Sequence, residues 1–114
     1  MAGVVRFDLS LWATNVPVIS EAASVAYDEA LWQEIEVADA ASDSQLSFGG
    51  VATVDVLYLI SDQALTYNIN SSSGTDLTLD ANKPLFMAGT SVTALYVSNA
   101  SGSTANVKYG IWGT

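Results

Sequence analysis

Two stretches of this chain place apolar side chains at every second position, and a period of two belongs to a strand, whose successive Cβ atoms point to opposite faces. In the first stretch Val54, Val56, Tyr58 and Ile60 share one side and Asp55, Leu57 and Leu59 the other. Both sides are largely apolar, which predicts a central strand covered on both faces. In the second, Val92, Ala94 and Tyr96 alternate with Thr93, Leu95 and Val97. Tyr58 and Tyr96 fall among aliphatic residues and are assigned to the core.

Turn chemistry divides the rest into short pieces. Ser61-Asp62-Gln63 leads into Ala64 to Asn70, so these flanking segments read as a hairpin. Asn70 to Thr75 is a loop, Asp76 to Leu79 a short strand, and Asp80 to Pro84 a turn. Leu85 to Met87 is predicted to stop at Gly89, and Val107 to Trp112 to form a hairpin with the strand ending at Ser98. Upstream, Val4 to Trp12 opens as a strand, Ala22 to Tyr27 reads as one helical turn or a loop, and Leu31 to Val37 alternates again. An alanine-rich helix over Glu21 to Glu36 competes with that last strand. Gln45 to Phe48 completes the set. About eight strands at intervals of roughly 8 to 12 residues predict an all-β, antiparallel β-sandwich or jelly roll, with a closed barrel as the alternative.

The 114 residues, half of them apolar, suit a single domain spanning 1–114 with one core. The longest apolar run, Val56 to Ile60, is far too short for a membrane-spanning helix. Charged residues follow soon after Met1, so no cleaved signal is expected. Twelve acids against Arg6, Lys83 and Lys108 give a net charge of -9, the wrong sign for nucleic acid or anionic lipid. Seven of the acids crowd the stretch from Glu21 to Asp43, as a solvated face or a patch for a basic partner.

Histidine and cysteine are both absent. Serine or cysteine triads, the usual zinc sites and disulfides therefore drop out, and the abundant serines lack a base to activate them. Glu34 and Glu36 are a same-face carboxylate pair, but alternation makes them an ordinary solvent face. Asp39 to Asp43 and Asp76 to Asp80 offer hard oxygen donors without the EF-hand spacing; they read as caps and turns. The Asn70 and Asn99 sequons matter only in a eukaryotic secretory setting. No catalytic residue, cofactor or metal is expected, and the chain reads as a non-enzyme.

What remains is aromatic. Trp12, Trp32 and Trp112 fall opposite the aliphatic stripes and are the candidate anchors of a protein interface. With nearby carboxylates the aromatics also suit stacking on a sugar ring.

The C-terminal half has a strand closing on Ser61-Asp62, a partner strand through Asn70, a small-residue loop, then Ala88 to Val107 with a strand closing on Ser98-Asn99 before Gly102-Ser103. In this it resembles small β-sandwich structural proteins of tailed bacteriophage virions. The resemblance implies a capsid decoration or head-associated protein, or a neck or tail component, located in the virion. It further implies binding to the major capsid protein or another virion protein and self-association as a homotrimer. No catalytic or ligand position carries over, and the acidic N-terminal half has no counterpart.

Overall fold

The computed structural model describes residues 2–11, 14, 19–73 and 76–114. Strands are β1 (Gly3–Leu11), β2 (Ile19–Tyr27), β3 (Glu29–Val37), β4 (Ser44–Gln45), β5 (Val54–Ser61), β6 (Leu65–Ile69), β7 (Leu77–Leu79), β8 (Leu85–Val92), β9 (Leu95–Ser98) and β10 (Ala105–Gly113). All pairings are antiparallel. They build one four-stranded sheet ordered β3-β10-β5-β8, a second ordered β4-β9-β6-β7, and a separate β1-β2 ribbon.

The eight strands β3 to β10 therefore satisfy the predicted sandwich. Successive strands change sheets, except for β6 and β7, which are neighbours; that winding is a jelly roll. The changes of sheet overturn both predicted hairpins. Strand β5 belongs to the first sheet and β6 to the second, and β9 and β10 are likewise separated. Alternation marks each strand but says nothing of which sheet it joins, so a short connection was mistaken for pairing. The helix reading also fails: Ala22 to Tyr27 lies in β2, where nine residues pair without a gap against β1. Gly89 does not end β8 but sits within it at a φ of +70°.

The core lies between the two four-stranded sheets. Leu57, Leu59, Val107, Tyr109 and Ile111 from one side meet Leu65, Tyr67, Leu95 and Val97 from the other, with Leu46, Phe48 and Val51 closing one flank. Each fully buried aliphatic contributes about 1.5–3 kcal/mol relative to exposure. Tyr109 carries its hydroxyl into this layer, 2.7 Å from both Gln33 Oε1 and Ser47 O, and burial pushes its pKa up.

A register irregularity in β5 between Val54 and Val56 changes which residues share a face. Val54 turns inward with Leu57 and Leu59, while Val56 and Tyr58 pair with outward-facing Trp112 and Gly110 of β10. Tyr58 is accordingly half-buried and not core; Tyr96, which alternates with buried Leu95 and Val97 in β9, is half-buried too, and Tyr67 and Tyr109 take the buried positions instead.

Side-chain amides fasten the loops. Asn99 is 1% exposed, and its Nδ2 lies within reach of Val37 O (3.0 Å), Ala38 O (3.3 Å) and Ser103 O (2.8 Å). Its Oδ1 accepts from Ser101 N and Ser101 Oγ. Asn70, at φ +66°, accepts from Thr93 N at 2.7 Å. Both sequon asparagines thus hold turns together.

Strand β2 runs through Asp28 almost directly into β3, and Asp28 N donates to Gly113 O at the end of β10 (2.8 Å). The β1-β2 ribbon is thus an extension of the first sheet's edge strand, and it turns back across that sheet's outer face. Strand β2 touches β10 and β5 there, Phe7 meets Phe86 edge-on with ring centroids 4.9 Å apart, and Val56 is fully covered. The radius of gyration, 15.0 Å, exceeds the about 13 Å expected of a compact chain this long.

Candidate interface

The pairing of β3, β10, β5 and β8 aligns Trp32, Gly110, Tyr58 and Phe86 in one row across the outer face of the first sheet. Gly110 makes this row possible. A Cβ there would stand 2.8 Å from Trp32 Cε3 and 2.7 Å from Trp112 Cη2, so both indoles lie over the bare backbone. Trp32 and Tyr58 are also stacked, with centroids 6.1 Å apart and planes 24° apart. Aromatic pairs of this kind add about 0.5–1.5 kcal/mol beyond their buried area. Even so, Trp32 stays 54% exposed and Phe86 42% exposed. Large apolar rings fixed by their neighbours and left in water make this face the candidate interface.

Two of the three predicted anchors, Trp32 and Trp112, therefore meet in one cluster; Trp12 lies outside the described residues. Sequence reasoning missed Tyr58, Phe86 and Phe7. For Tyr58 the signal was masked by the β5 irregularity. For Phe86 it lay in the alternation of β8, whose prediction stopped short at Met87.

Beside the aromatic row the same face becomes polar. Glu34 and Glu36 point outward from β3 opposite Lys108 and Asn106 of β10. Lys108 Nζ and Glu34 Oε1 are 3.9 Å apart and well exposed, a pair worth under about 1 kcal/mol. Shallow depressions of about 220 and 290 Å³ flank Asn106 and Lys108.

Asp62 completes this shelf. It accepts from Asn106 Nδ2 (2.9 Å) and Asn106 N (2.8 Å), and these bonds hold its carboxyl below the ordinary value of 3.8. A depressed pKa means that the stabilisation is present above the unfolded value and is lost as pH falls through the folded one. An NMR titration should find the Asp62 midpoint below 3.8 in the native chain and returned toward it in Asn106→Ala.

Two of the four loop acids considered as oxygen donors, Asp39 and Asp76, have structural partners. Asp39 Oδ1 accepts from Gly102 N (3.0 Å) and Asp76 Oδ1 from Asn68 Nδ2 (2.7 Å). Among the described residues no three His, Cys, Asp or Glu side chains converge as a metal site.

No family model, curated protein or solved structure matches this chain.

Proposed function

We propose that this chain is a non-enzymatic structural protein of a tailed-phage virion, of the capsid decoration or head-associated kind. It binds the major capsid protein or a neighbouring virion protein and self-associates as a homo-oligomer, for which a trimer is the natural candidate. The observation that carries an assembly role is the exposed Trp32, fixed over Gly110 and against Tyr58. A ring already immobilised loses little entropy on docking, which is what an interface anchor needs. The jelly roll hosts viral capsid and lectin domains alike, so it supports the virion assignment by analogy only. That assignment rests on the resemblance of the C-terminal half. Nucleic acid and membrane partners do not fit the charge of -9.

Co-sedimentation with purified capsids tests the proposal. The chain should pellet with capsids at a fixed stoichiometry, and Trp32→Ala should weaken binding by roughly 30-fold, the loss of a hot spot of about 2 kcal/mol. Absence of pelleting, or unchanged binding by Trp32→Ala, Trp112→Ala and Trp12→Ala together, would sink it.

The second reading, a carbohydrate-binding module, is favoured by the polar shelf of Glu34, Glu36, Asn106 and Asp62 beside the rings. Stacking on a sugar face with hydrogen bonds to its hydroxyls needs that combination. A glycan array decides it: binding that disappears with Trp32→Ala supports this reading, and silence across the array removes it.

A further inference from the structure

The ribbon offers a second surface that fits the first. Its inner face, with Val5, Phe7, Val25 and Tyr27, is half-buried, whereas its outer face carries Val4, Arg6 and Asp8 opposite Ala26, Ser24 and Ala22, all exposed. Because the residues on β2 are small, the outer face sinks into a depression of about 340 Å³ lined by Arg6, Asp8, Ala22 and Ser24. Val4, two residues before Arg6 on the same face, is 55% exposed. The same molecule therefore holds an exposed indole on its sheet and, on its ribbon, a depression with Arg6 and Asp8 side by side in its lining.

Charge selects the occupant. Residues 2–27 carry Arg6 against Asp8 and Glu21, a net of -1, while the remaining ten acids stand against Lys83 and Lys108, a net of -8. Two sandwiches repel one another, but the ribbon is nearly neutral. Arg6 has no ion pair among the described residues, and Trp32 is followed on its own face by Glu34, which is loosely paired with Lys108, and by Glu36. A guanidinium beside an indole and two carboxylates is matched on both counts.

We propose that the ribbon is the docking site for a second copy of this chain. Trp32 of one copy enters the depression between Arg6, Ala22 and Ser24 of the other, with Arg6 against the ring and its charge toward Glu34 and Glu36. Each copy carries one knob and one depression, so the contact is satisfied by a reciprocal two-fold pair or by a ring, and an open chain results where the rotation does not close. The proposal rests on the reading that the chain assembles through its aromatic face, and it names the partner surface.

Sedimentation equilibrium of the full chain over a wide concentration range tests it. The wild type should be oligomeric, and Ser24→Tyr, which fills the depression with a strand-compatible residue, should raise the dissociation constant tenfold or more. Arg6→Glu should do the same, and adding Glu34→Arg to Arg6→Glu should restore association at low salt. Rescue by charge reversal separates a lost contact from a lost fold. An oligomer indifferent to Ser24→Tyr and Arg6→Glu overturns the proposal. So does a chain that is monomeric throughout, and capsid binding measured separately then shows whether the virion reading stands without it.

Discussion

Gly113→Ala is expected to destabilise the chain by about 3 kcal/mol, the upper end of overpacking costs. A Cβ at this position would stand in contact with the carbonyl oxygen of Thr53, a backbone atom that no rotamer change can remove. Thr53 is tied in place because its O accepts from Thr114 N and its N donates to Thr114 O. The methyl group must therefore separate the end of β10 from the start of β5, where the ladder already shifts register. It also disturbs Gly113 O, which accepts from Asp28 N at the junction of ribbon and sandwich. A drop in melting temperature of about 10 °C or more, with an unchanged urea m-value, is the predicted result. A shift under about 2 °C would mean that the last residues peel away without strain.

Asn99→Ala should cost a similar amount, about 3 kcal/mol, for a different reason. The amide is buried, and removing it takes the Asn99 donor from Val37 O and Ala38 O and the acceptor from Ser101 N, while Ser103 O keeps the Ser101 hydroxyl. Each buried polar group left unsatisfied costs about 1–3 kcal/mol. Asn99→Asp should be no better at neutral pH, since it sets an oxygen against three carbonyl oxygens. Asn70→Gly is the control: glycine keeps the left-handed backbone at this position, the bonds to Thr93 and Ala94 are exposed, water replaces them, and about 1 kcal/mol is expected. Urea denaturation of the three variants checks the order. Equal effects at positions 70 and 99 would show that burial of the Asn99 amide is not what matters.

Strand identity was legible in the residues because period-two patterning is local, and β3, β5 and β10 follow it, but the alternation from Val92 to Val97 that reads as one strand is divided between the end of β8 and β9, which lie in different sheets. Sheet membership was not, because it depends on which connections cross the core, and neither Ser61-Asp62-Gln63 nor Asn99 to Ser103 encodes that. The face assignment of Tyr58 failed for one reason: a single irregular residue at Asp55 reverses the phase of the strand on one side of it. Residues 22–27 looked helical because alanine has high helix propensity, yet pairing with β1 prevails over propensity in context. At the candidate interface, Trp32 and Trp112 were found from their faces alone. The part played by Gly110 was hidden, since a glycine between two indoles is recognisable only once the neighbouring strand is aligned.

The sheet edges also bear on how this apolar chain tolerates crowding. Open edges recruit further strands and seed aggregates unless they are short, charged or bent. Strands β4 and β7, at the margins of the second sheet, are two and three residues long. The margin at β3 carries Glu29, Glu34 and Glu36, and that at β8 is bent by the left-handed Gly89. Only the ribbon, among the described residues, keeps nine-residue margins on both sides. Sheet growth is thus resisted at the margins of both four-stranded sheets, and the long edges of the ribbon are where a further strand would add, so the fate of this chain at high concentration depends on what covers the ribbon.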